Sequence, residues 1–297
     1  MMRLLSFVFC LGVVISMRAQ PYGNEWVDYN QSYYKFGVSE KGIYRISHAT
    51  LQQAGVPVSS VQPDQYQVFG KEEEVPLYVE DGGDGSFDTG DYIEFIAEGN
   101  DGWLDSLLYD NPDEIGNPAY SLYNDTLYYF LTWTSGATER FVEETATNFS
   151  VFTPDDYVWQ TSKVDYNSYY YGGFSQNKSY SSYYSPGEGW GSPNYNGASN
   201  YTKTIAMQTP SLYDVPGAPP VEFHAKSNAN SNANYTGQGN HHLVWEIGSN
   251  NLVLHDEIFT GYRQTVVNES VSIAELNDGT TNVYFKIIGD QGAATDF

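Results

Sequence analysis

Residues 75–97 read VPLYVEDGGDGSFDTGDYIEFIA, and the way they fold decides the class of the whole chain. On the left flank Val75, Leu77 and Val79 alternate with Pro76, Tyr78 and Glu80. On the right flank Ile93, Phe95 and Ala97 recur at every second position. A period of two puts alternate side chains on one face, so both flanks read as half-buried strands. Between them, Asp81–Gly90 is built from aspartate and glycine, residues that serve turn geometry. The stretch is therefore a β-hairpin. Pro76 has no N–H to give to a ladder, which places its strand at a sheet edge or a bulge.

The rest of the chain uses the same vocabulary. Its 297 residues include 28 glycines, 27 tyrosines and 15 phenylalanines, with only 17% charged. Aromatic strands joined by glycine turns make it mainly β. Strand patterns occupy 24–46 around a turn at Ser39-Glu40-Lys41-Gly42, then QYQVFG (65–70) and Leu127–Trp133. SHATLQQAG (47–55) reads as a short helix, with Ser47 placed to cap it and Gly55 to end it. Composition shifts near residue 155, where residues 165–195 carry eight tyrosines and one tryptophan. From Lys203 short apolar strands resume: HLVWEI, NLVLHD, TVVNESVSI and NVYFKII, with turns at Gly248-Ser249-Asn250-Asn251 and Asn277-Asp278-Gly279. The expected organisation is two β-rich domains: a hairpin-rich domain over 21–155 and a β-sandwich over 203–297, joined by a tyrosine-rich linker or ribbon over 156–202. The sandwich stops at Asp296-Phe297 without a closing turn and reads as incomplete, the front part of a longer protein.

Residues 1–20 read as an export signal: Arg3, then the apolar run Leu4–Ile15, then Met17-Arg18-Ala19 before the cut. The apolar run is too short to span a bilayer, and no later stretch is apolar enough to do so. An exported chain, either extracellular or held at a surface by something else, is the expectation. Cys10 is the only cysteine and lies within this signal, which leaves the mature chain without a disulfide, a thiolate metal site or a cysteine nucleophile. The net charge of −24 disfavours nucleic acid as a partner. From Glu72 to Glu139 there are 17 carboxylates and no lysine or arginine.

The hairpin loop is the first chemical candidate. Asp81, Asp84, Asp88 and Asp91 include the spacing D-G-x-x-D-x-x-D, and aspartates on a glycine-rich loop can wrap a calcium ion with oxygen ligands. The simpler alternative is a solvated loop tip, and the two readings stay open at this level. A hydrolase pair of the same carboxylates is disfavoured, because residues of one glycine-rich loop share one environment and nothing separates an acid from a base. His241 and His242 are adjacent in a strand, so they point to opposite faces, while His255 on the next strand could approach one of them. That is too little for a zinc site, and ordinary structural histidine is the preferred reading. Tyr169–Tyr171, Tyr183-Tyr184 and Trp190 could form a sugar-stacking platform or cover a junction. No G-x-S-x-G elbow occurs.

Several blocks together carry a resemblance. NEWVDYNQSYYKFGVSEKGIYRI (24–46), DGSFDTGDYIEF (84–95), NDGWLDSLLYDNP (100–112), NPAYSLYNDTLYYFLTW (117–133) and SPGEGWG (185–191) are similar to the N-terminal region of gingipain-type cysteine peptidases. The sortase-like member of the type IX secretion system is the nearest in pattern. The resemblance implies a β-rich, non-catalytic front region that folds, shields or positions a caspase-like catalytic domain. That domain, with its His and Cys, would lie beyond residue 297, so no catalytic residue carries over. Implied partners are the chain's own downstream catalytic domain and other secretion-system or surface proteins. The rival reading is a secreted carbohydrate-binding or adhesin-like module.

Overall fold

The computed structural model describes residues 23–172, 183–196, 200–229, 241–291 and 295–296. The expected export signal with Cys10 lies outside the described residues, as does the part of the tyrosine-rich segment over 173–182. The chain is mainly β, as its composition requires, and it divides into two units.

The first unit takes its described residues from 23–36, 43–97 and 128–141. In chain order its elements are β1 (Tyr34–Val38), β2 (Gly42–Ser47), α1 (His48–Gln53), β3 (Tyr66–Gly70), β4 (Glu73–Val75), β5 (Tyr78–Glu80), β6 (Tyr92–Ala97) and β7 (Leu127–Trp133). They form two sheets, ordered β1-β7-β3-β4 and β2-β6-β5. Residues 24–33, expected as strand, form turns instead. β1 and β2 flank the expected turn but fall in different sheets. The same happens at Pro76: β4 edges one sheet, β5 edges the other, and the chain changes sheet at the residue that cannot donate to a ladder. Leu77, next to that corner, bridges to Arg140 and is fully buried. On β6 the predicted alternation holds, with Ile93, Phe95 and Ala97 buried and Ile96 exposed. Phe95 packs edge-on to Phe36, with ring centroids 5.7 Å apart. The helix forms where its caps put it: Ser47 Oγ accepts from Thr50 N at 3.2 Å, and Gly55, at φ +83°, ends the turn.

The second unit takes its described residues from 37–42, 98–127, 142–172, 183–196, 200–229, 241–291 and 295–296. Its strands are β8 (Tyr169–Tyr171), β9 (Gly189–Gly191), β10 (Tyr195–Asn196), β11 (Tyr201–Thr209), β12 (Val221–Ala229), β13 (His241–Ile247), β14 (Leu252–Phe259), β15 (Arg263–Val271), β16 (Gly279–Ile287) and β17 (Thr295–Asp296). Two antiparallel sheets, β11-β16-β13-β14 and β10-β17-β12-β15, share one hydrophobic core; β8 and β9 pair separately. Leu243, Trp245, Phe285 and Ile287 enter that core from one sheet, and Ala229, Val267 and Val271 from the other. The two sheets pack as a β-sandwich whose strands begin before Lys203, with β10 and β11. The turn Gly248–Asn251 joins β13 to β14, with Gly248 at φ +76° and Asn251 at φ +51°.

Trp245 is the largest side chain in this core, and its ring centroid lies 4.8 Å from that of Phe285. Its indole N–H has no hydrogen-bond partner among the described residues. Trp245→Ala should therefore lower stability by about 3–5 kcal/mol. Trp245→Phe, which keeps most of the apolar volume and leaves no N–H unsatisfied, should cost less than about 1.5 kcal/mol. Urea unfolding midpoints of the two variants check this.

Candidate functional site

The acidic loop is closed by the antiparallel pair of β5 and β6, with Glu80 opposite Tyr92, so it runs from Asp81 to Asp91. It is one residue longer than expected because Asp91 is not part of the ladder. Its carboxylates turn back on the loop's own backbone. Asp81 Oδ1 accepts from Gly83 N at 3.0 Å, and Asp84 Oδ1 accepts from Ser86 N at 2.8 Å. Asp91 Oδ2 accepts from Asp88 N at 2.6 Å. Gly82, Gly83, Gly85 and Gly90 all have positive φ, and open space lies where a Cβ would be, so glycine is needed there for conformation.

Two residues pin the loop inward. Phe87 is buried against Tyr66 at 4.9 Å and His48 at 5.7 Å between ring centroids. Asp91 is only 8% exposed, and its carbonyl accepts from His48 N at 2.8 Å, tying the end of the loop to the start of α1. A cleft of about 380 Å³ opens beside it, floored by Val56, Val58, Val61 and Phe87 and rimmed by His48 and Asp88.

Calcium requires six to eight oxygens converging on one point. The carboxylates of Asp81, Asp84 and Asp91 are each directed to a separate backbone N–H. Among the described residues, no three His, Cys, Asp or Glu side chains form a group that could hold a metal ion.

The histidines follow the alternation of their strand. His241 is buried and stacks on Phe259, with ring centroids 4.8 Å apart. His242, on the opposite face, is clamped between two carboxylates: Nδ1 to Asp290 Oδ1 and Nε2 to Asp256 Oδ1, both at 2.9 Å. His255 pairs with Glu257 on its own strand at 3.2 Å, and Glu257 also meets Arg263 at 2.8 Å. Burial pulls the His242 pKa down, but the bonds and charges of Asp290 and Asp256 outweigh it and raise it above the usual histidine value. In return His242 holds Asp290 below the usual carboxylate range. The same sheet also carries the ion pair of Lys286 and Glu246, at 2.5 Å. The sequence offered no signal for the clamp. The turn at 248–251 by itself sets His255 opposite Val244, and a bulge between Trp245 and Glu246 shifts the ladder by one residue so that Asp256 lies there instead, one diagonal step from His242.

The second cluster of family-like residues is a packed corner of the second unit. Asp105, buried, accepts from Leu122 N at 2.7 Å and from Ser121 Oγ at 3.2 Å. Asn100 Nδ2 donates to the same Ser121 Oγ at 3.0 Å. Tyr109 is buried, donates its hydroxyl to Glu188 O, and meets Tyr184 edge-on. Trp190 packs edge-on to Tyr170 at 5.3 Å and Tyr120 at 6.0 Å, and its indole donates to Leu122 O at 3.4 Å. Of the residues suggested as a stacking platform, Tyr171 is buried and Trp190 half-buried.

Two outcomes follow. Asp91→Ala should destabilise the first unit by about 1–2 kcal/mol, since it removes the buried carboxylate that accepts from the Asp88 N–H, while exposed Asp84→Ala should cost less. Adding millimolar calcium should leave the melting temperatures of all three proteins unchanged; calorimetry reads both effects. For the clamp, a raised histidine pKa means its contribution is complete below the unfolded value of about 6.5 and is lost as pH rises through the folded value. A lowered Asp290 pKa means its share is present above about 3.9 and lost as pH falls through the depressed value. The difference in melting temperature between the natural protein and His242→Gln should therefore peak between about pH 4 and 6.5 and shrink towards pH 9.

No family model matches the chain, and no curated protein matches it. Among solved structures, dimeric latent PorU from Porphyromonas gingivalis is similar, with a TM-score of 0.42 at 13% identity. The match covers 89% of this chain and 23% of that chain, so this chain spans 23% of that protein's length. A likeness of that size assigns no activity, and the functional reading rests on the residues themselves.

Proposed function

We propose that these residues are the non-catalytic front region of an exported gingipain-type cysteine peptidase or type IX secretion sortase, serving to fold, shield or position a catalytic domain. The observation that carries this reading is how the family-like blocks are used. DGSFDTGDYIEF supplies Phe87 and Asp91 as inward anchors and Ile93 and Phe95 as core. NDGWLDSLLYDNP and NPAYSLYNDTLYYFLTW supply Asp105, Ser121 and Leu122, which bond one another. SPGEGWG supplies Trp190 to the same corner. Residues that mark the family are thus engaged in packing and backbone capping, the work of a scaffold. Cys10 is the only cysteine in the sequence and lies in the expected export signal, so a thiolate nucleophile would have to come from elsewhere. On this reading the protein is exported to the cell surface or outer membrane, and its first partner is its own catalytic domain.

The test has two arms. The purified 297-residue chain should fold and give no thiol-dependent turnover of a fluorogenic peptide panel. The coding sequence downstream of Phe297 should continue into a domain carrying a His and a Cys, and that domain should be recovered in soluble form only when this region is present. Turnover by the isolated chain overturns the reading. So does glycan-array binding abolished by Trp190→Ala, which would favour the carbohydrate-binding rival.

A further inference from the structure

One segment breaks the usual rule for apolar side chains. Between β7 and β8, residues 142–161 of the second unit form no strand, yet Val142, Phe149, Val151, Phe152, Val158 and Trp159 are each between 64% and 93% exposed. Scattered exposed apolar residues need no explanation, but here six lie within twenty positions of one segment whose only regular element is the 3-10 turn Phe149–Val151. Its backbone is equally unengaged. Among the described residues its hydrogen bonds are local: Phe152 N to Phe149 O, Ala146 N to a Glu144 oxygen, and Ser150 N to Asn148 Oδ1.

The segment is nevertheless held at its far end. Tyr157 packs tilted against Tyr213 at 5.2 Å between centroids, and Ser162 Oγ accepts from Gln208 N at 3.0 Å on β11, an edge strand of its sheet. The charges are one-signed. Glu143, Glu144, Asp155 and Asp156 lie within 141–162, which contains no lysine, arginine or histidine.

We propose that residues 142–161 are a docking strap that inserts into an apolar groove, rimmed by lysine and arginine, on a separate folded protein. A segment outside any ladder that presents large apolar side chains is the ligand half of groove recognition. Phe and Trp supply the anchors, and the four carboxylates select a cationic rim and steer the approach. A second copy of this chain is a poor occupant, since it carries the same charge of −24. An anionic lipid surface is disfavoured for the same reason. This inference does not depend on the peptidase reading, since the strap would dock whatever the parent protein does.

The test places a photo-crosslinking phenylalanine analogue at Val151 of the full chain, expressed in its native host, with the analogue at Asn250 in the β13–β14 turn as control. The expected result is one cross-linked protein whose modified residues line an apolar groove flanked by Lys and Arg. Its yield should fall at least tenfold with Phe152→Asp and decline with added salt. Phe152 is exposed, so that variant should keep the natural melting temperature, which separates lost docking from lost folding. Overturning results are a yield no greater than at Asn250, cross-links to a second copy or to lipid, or a yield indifferent to Phe152→Asp.

Discussion

Long connections without a ladder impose the governing constraint on this protein: their backbone N–H groups still need acceptors. The chain meets it repeatedly with the same device, an Asp, Asn, Thr or Ser side chain accepting from the N–H two residues on. Asp28 serves Asn30, Asn100 serves Gly102, Asp101 serves Trp103 and Asn111 serves Asp113. Asn117 serves Ala119, Asn124 serves Thr126 and Asn148 serves Ser150. The acidic hairpin loop repeats it at Asp81 and Asp84. Seen this way, the loop's aspartates are local instances of a chain-wide solution and need no ligand to account for them.

The same constraint explains the lopsided charge. A carboxylate that accepts from a backbone N–H needs no lysine or arginine beside it, so a run such as Glu72–Glu139 can lack cations without leaving its buried acids unmet. The buried acids among the described residues bear this out. Asp91 takes the Asp88 N–H, and Asp105 takes the Leu122 N–H and the Ser121 hydroxyl. Only Glu246, in the sandwich, uses a cation, Lys286.

Local signals were read well because local geometry produces them. Ser47 and Gly55 delimit α1, the alternation of Ile93, Phe95 and Ala97 places β6, and β7 spans Leu127–Trp133 as its pattern requires. Pairing was not legible. Nothing within residues 34–47 says that β1 and β2 join different sheets, and nothing in 73–80 beyond Pro76 says so of β4 and β5. Those choices depend on which distant strand offers a matching face. The allocation of 98–127 to the second unit leaves no trace in composition, for the segment is as acidic and turn-rich as the residues before it.

The candidate site was legible in its place but not in its use. A count of aspartates per glycine shows only that oxygens are near one another in sequence; whether they converge depends on the direction of each side chain. Phe87 settles that direction. Once its ring is buried against Tyr66 and His48, the loop is drawn onto α1, Asp91 must turn inward to meet the Asp88 N–H, and Asp81 and Asp84 are left on the exposed arm with their own turns to cap. A single apolar residue amid the acids thus decides the geometry of the carboxylates around it, and the hydrophobic effect, acting at Phe87, makes the loop a folding element.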